Sequence, residues 1–165
     1  MSMIGNYLRL PEADLSRFIA DPEAIMGFLY PDDDSAFPSN RHLDIDKTWQ
    51  IIHFLLTGSA WEGEAPLRNA VLGGSVIGDI DVGYGPARYL RPPEVSEVAL
   101  ALSAISPVML WSRFDLKAAR DNEIYPTGWE GNDTERDYAM DYFQQLKTFF
   151  DEANKQNEAI ILYLN

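Results

Sequence analysis

"NRHLDIDKTWQIIHFLLTG" (residues 40–58) decides how the chain is read. Trp49, Ile52, His53 and Leu56 fall on one face of a helix, and Ile51, Phe54 and Leu55 cover most of the remainder. A helix that is apolar nearly all round belongs in the middle of a fold. Asp44 or Asp46 is a natural N-cap and Gly58 a natural stop, which predicts a helix over 47–57. The same stretch holds both histidines of the chain, so His42, Asp44, Asp46 and His53 invite a metal or acid–base reading. With Asp44 as cap, Asp44 and His53 stand about 13 Å apart along the axis. Ligands of one ion sit about 2 Å from it. His53 is therefore expected to be a buried imidazole donating one hydrogen bond in the core; no metal and no cofactor are expected.

Outward from this helix, "MIGNYLRL" (3–10) predicts a first strand, with Gly5 allowing close backbone approach. Pro11 and Asp21-Pro22 open two short helices, and "PDDDSAFPSN" (31–40) is a loop. Residues 59–91 are glycine-rich: "GGSVIGDIDVGYG" (73–85) reads as a loop and "GPARYL" (85–90) as a strand. Helices follow from Pro92 and after Pro107. Asn132 and Glu135 form a capping box for a long helix to about 154, with Tyr138, Tyr142, Leu146, Phe149 and Ala153 as one stripe. "EAIILYLN" (158–165) predicts a buried last strand. The expected fold class is α+β: a single helix-rich domain over 1–165, with a small sheet holding the N- and C-terminal strands.

Apolar residues make up 46% of the 165-residue chain, enough for a packed core. There is no cysteine, which excludes disulfides, thiolate metal sites and cysteine nucleophiles. The first ten residues lack the pattern of a signal peptide, and no run reaches the length of a membrane span, so a cytoplasmic protein is expected. The net charge is −13, with −5 in residues 1–40 and −5 in 124–165. Such a field repels nucleic acid and anionic membrane and attracts basic partners. No G-x-S-x-G surrounds Ser59 or Ser75, and no phosphate-binding glycine loop is present.

"GNYLRL" (5–10), "LDIDKTWQIIHFLLTG" (43–58), "LRNAVLGG" (67–74) and "NEIYP" (122–126), in this order, resemble the YfbM-like family of bacterial domains of unknown function. The resemblance spans nearly the whole chain. It implies an α+β domain in the bacterial cytoplasm and no established chemistry. Asp44, Asp46, Lys47, Trp49 and His53, with Glu123 and Tyr125, are the motif positions it singles out. Some members of the family are similar to immunity proteins encoded beside secreted toxins, including those of type VI secretion systems.

Two functions from different classes follow. In the first, the chain is an immunity protein that binds and neutralises a toxin, such as a nuclease, whose active face is basic. Its partner-binding residues are then sought among Asp32, Asp33 and Asp34 and the aromatics Phe37 and Trp61. No catalytic residue is expected. In the second, the chain is a small-molecule enzyme with its site near the Asp44–His53 motif, Glu123 and Tyr125.

Overall fold

The computed structural model describes residues 2–33, 37–38 and 40–165. Five strands form one antiparallel sheet in the order β2-β1-β5-β4-β3: β1 Gly5–Leu10, β2 His42–Asp44, β3 Ser75–Asp81, β4 Pro86–Leu90 and β5 Ala159–Leu164. The helices are α1 Glu12–Ala20, α2 Ala24–Leu29, α3 Trp49–Thr57, α4 Pro92–Ser103, α5 Pro107–Trp111, α6 Leu116–Asp121 and α7 Asp133–Lys155. No helix among the described residues is long and apolar enough to cross a membrane. The fold is α+β, and the first and last strands pair through six residues at the centre of the sheet.

Strand alternation divides the core. Tyr7, Leu90, Ile160 and Leu162 face a large core built with α3, α4, α5 and α7. Leu8, Leu10, Ile161 and Tyr163 face a smaller one covered by Leu15 of α1 and by Ile25 and Leu29 of α2. Both faces of β5 are therefore covered, which is why its sequence is a continuous apolar run.

Helix α3 is buried over eight of its nine residues and ends at Gly58, whose φ of +79° gives the left-handed stop. Its start departs from expectation. The residue preceding the helix is Thr48, which makes no side-chain cap, and a 3-10 turn Asp46–Thr48 comes first. Asp44 accepts instead from the Asp46 backbone N–H at 2.6 Å, an Asx turn, so no aspartate caps α3. Two further segments are strands, one unassigned in the sequence and one read there as a loop. Residues 42–44 pair with β1, and 75–81 pair with β4 through an irregular register. The capping box of α7 forms as read: Asn132 accepts from Glu135 N at 2.9 Å, and Glu135 accepts from Asn132 N at 3.2 Å.

Gly5 lies under α3. A Cβ there would sit 3.0 Å from both Ile45 and Trp49 side-chain carbons, so the close approach of strand and helix needs the missing side chain.

Candidate functional site

The motif segments meet at the N-terminal end of α3. Trp49 is fully buried, donates its indole N–H to the Met3 carbonyl at 3.1 Å, and stacks on Tyr125 with 5.6 Å between centroids. Gln50, a residue the sequence did not single out, joins the same assembly. It accepts from the Tyr125 backbone N–H at 2.7 Å and donates to the Ala60 carbonyl at 3.1 Å. The Tyr125 hydroxyl accepts from Met3 N at 2.9 Å. Trp61 covers Trp49 at 5.8 Å and remains 57% exposed. Glu123 is exposed in a left-handed turn after α6, with φ +48°. "NEIYP" is thus tied to α3 by Gln50 and Tyr125, and its carboxylate stays outside the assembly.

His53 is fully buried, as expected, and donates from Nε2 to the Glu62 carbonyl at 2.7 Å. Its Nδ1 has no hydrogen-bond partner among the described residues. His42 is half-buried on the opposite face of the sheet. Asn6 donates to Asn165 at 2.8 Å, so its oxygen is left to accept from His42 Nε2, also at 2.8 Å. The two histidines therefore do not share a site. Among the described residues no group of three His, Asp or Glu side chains is placed to hold a metal ion.

Burial lowers the pKa of His53, helped by Arg68 and Arg88 and opposed by the Glu62 carbonyl; burial also lowers that of His42 against Asp44. Both are neutral in the fold, while an unfolded histidine takes a proton near about pH 6.5. Below that pH the unfolded chain binds more protons, so stability falls as pH drops through it. The expected result is a melting temperature that declines from about pH 7 to about pH 5, above the range where carboxylates titrate. The decline should be shallower in His53→Gln. A flat profile over that interval would remove this account.

Asp44 and Asp46 meet α7. Tyr138 donates to Asp46 at 2.7 Å and packs edge-on against Tyr142, with 5.5 Å between centroids. Burial raises the pKa of both phenols, and the nearby carboxylates add to it: Asp46 for Tyr138, Asp46 and Asp44 for Tyr142. Both hydroxyls therefore stay protonated. Asp133, Asp137 and Asp141 follow at four-residue spacing, exposed on α7. Arg136 is held by Asp133 and Asp137, at 3.1 and 3.0 Å, whereas Asp141 has no ion-pair partner among the described residues. Beside this stripe runs a groove of about 600 Å3 between α5 and α7, with Val108, Trp111 and Met140 in its walls. Lys47 is half-buried in the turn.

The expected partner-binding set is not one surface. Asp32 and Asp33 are exposed after α2, and Phe37 is packed on Phe28 at 5.4 Å over the smaller core. Trp61 lies with Trp49 on the other side of the sheet. Asp34 lies outside the described residues. Phe37 serves packing, and of these two aromatics Trp61 is the one with an exposed face.

A profile of the family described as "Domain of unknown function (DUF1877)" matches residues 1–163. The chain belongs to this family. Within the reach of DUF1877, the chain is similar to protein YfbM of Escherichia coli strain K12, with 28% identity over 131 residues, 76% of this chain and 74% of that protein. A solved structure of YfbM from Escherichia coli, described as a protein of unknown function, superposes with a TM-score of 0.75 at 22% identity. It covers 98% of this chain and 99% of that one. At that identity the likeness shows that the two chains share this fold.

Proposed function

We propose that the chain is a cytoplasmic immunity-type protein that binds a basic protein toxin and neutralises it. The observation that carries this reading is the acidic surface where Asp44 and Asp46 meet the Asp133–Asp137–Asp141 stripe around Tyr138 and Tyr142. Tyrosines supply contact area and hydrogen bonds at interfaces, and surrounding carboxylates steer a basic partner. The −13 net charge adds to that field. A nuclease secreted by a type VI system is the toxin class proposed, because it must present a basic face to its own substrate. His53 has a buried ring and lines neither the α5–α7 groove nor the groove beside β2 described below, so the small-molecule enzyme reading gains no support from the motif.

The test is co-expression with the product of the neighbouring gene, followed by co-purification and growth rescue. Asp44→Asn, Asp46→Asn, Asp137→Asn and Asp141→Asn together keep the acceptors of the Asx turn and of Tyr138 while removing four charges. Association with the toxin is expected to slow by about tenfold at low salt and to converge with the parent at high salt. Dissociation should change less. An association rate indifferent to salt would remove the electrostatic argument. Failure to protect against any neighbouring toxin would remove the immunity reading.

A further inference from the structure

A second groove of about 600 Å3 lies on the other flank of α7, against β1 and β2. Leu43 and Phe149 provide its apolar surface. Gln144, Gln145 and Thr148 line it from α7, and their side chains carry no hydrogen bond to the described residues. At the strand side stands Arg9, whose side chain is only 9% exposed. Its Nε donates to the Asn40 carbonyl at 2.7 Å, while its Nη1 is buried with no hydrogen-bond partner among the described residues.

The charge around Arg9 does not balance. The nearest carboxylate, Glu158, lies 3.9 Å from Arg9 Nη1 and is already bonded by Arg41. One buried carboxylate thus faces two guanidinium groups, which leaves one positive charge in a chain whose net charge is −13. A buried guanidinium without a full partner is unfavourable in the empty protein. A carboxylate is its natural complement, because its two oxygens match the planar fork. Glu152, which also lines the groove, repels a second negative charge. A single carboxylate joined to an apolar body with an amide or hydroxyl group matches Arg9, then Leu43 and Phe149, then the free amides.

We infer that this groove is a binding site for a small organic monocarboxylate, with Arg9 as its anchor. The site is independent of the acidic surface assigned to toxin binding and stands or falls without it. Binding neutralises the surplus charge that folding leaves at Arg9.

The test uses the 15N-labelled chain with N-acetylleucine and acetate as probes and N-acetylleucinamide as the uncharged control. N-acetylleucine is expected to give saturable shifts at the Arg9 Nε–H and at the Leu43 and Thr148 amides, with half-saturation on the order of 1 mM. Acetate should shift the same signals more weakly, and the carboxamide should not. Arg9→Met should weaken the response by at least about tenfold while leaving the thermal midpoint unchanged or higher, since a surplus buried charge has gone. Arg9→Lys keeps the charge but loses the fork, and should weaken binding too. No saturable shift with either anion would overturn the site. So would an Arg9→Met chain that melts lower than the parent, because Arg9 would then be a structural partner of Glu158.

Discussion

Replacing Trp49 by alanine is expected to lower unfolding free energy by about 3–5 kcal/mol, the range for a large aromatic removed from a core. The side chain is fully buried and makes three distinct connections: to the Met3 carbonyl, to the Tyr125 ring and to Trp61. Alanine leaves the Met3 carbonyl without its donor and opens a void above Gly5, where strand and helix already sit as close as their backbones allow. Collapse into that void is hindered on the Gly5 side, so relaxation recovers little. Trp61→Ala is the internal control. Its ring is more than half exposed, and its loss should cost about 1 kcal/mol or less. Denaturant midpoints of both variants check this. A Trp49→Ala chain as stable as Trp61→Ala would show that the aromatic stack is not the hub described.

Gln50→Leu is the second large effect. Leucine fits the apolar surroundings of α3, yet the change leaves both the Tyr125 N–H and the Ala60 carbonyl without partners. Each polar group left unpaired in this partly buried setting costs up to about 1–3 kcal/mol, so a loss of about 2–5 kcal/mol is expected despite the added apolar side chain. Hydrogen exchange gives a local readout: the Tyr125 amide should lose its protection, while amides in β5 keep theirs until global unfolding. Retained protection at Tyr125 would mean that another acceptor replaces Gln50. The two variants touch neighbouring residues, so their effects should not add.

What the sequence conveyed followed the range of the interactions. The Gly58 stop, the Asn132–Glu135 box and the apolar run of β5 are local signals, and each sits where it was read. Strand β3 was missed because only one of its seven residues, Ile77, is buried; its place is set by pairing with β4 rather than by its own alternation. The aspartate cap failed because Asp44 satisfies a nearer N–H and a 3-10 turn separates it from the helix. Gln50 looked like one polar position in an apolar helix, and its acceptor role depends on Tyr125, 75 residues away. Arg9 gave even less signal, since one arginine between leucines is ordinary in a strand; only burial and the competition for Glu158 set it apart. Resemblance to the family carried the fold well and assigned no chemistry to the motif residues, which the structure uses mainly for packing.

The pairing of β1 with β5 has a kinetic side. Gly5 opposes Leu164 and Leu10 opposes Ala159, so two neighbouring interior strands are separated in sequence by all the other strands and helices of the fold. On a ribosome, β1, α1 and α2 emerge long before the strand they need, and the apolar faces of Leu8 and Leu10 wait for Ile161 and Tyr163. The β1–β2 pair, the hairpin of β3 with β4 and the local helices can form before β5 arrives. High contact order at the centre of the sheet slows folding and ties its completion to the synthesis of β5. A chain cut before Ala159 would keep every helix among the described residues and lose the strand that supplies Ile160 and Leu162 to one core and Ile161 and Tyr163 to the other.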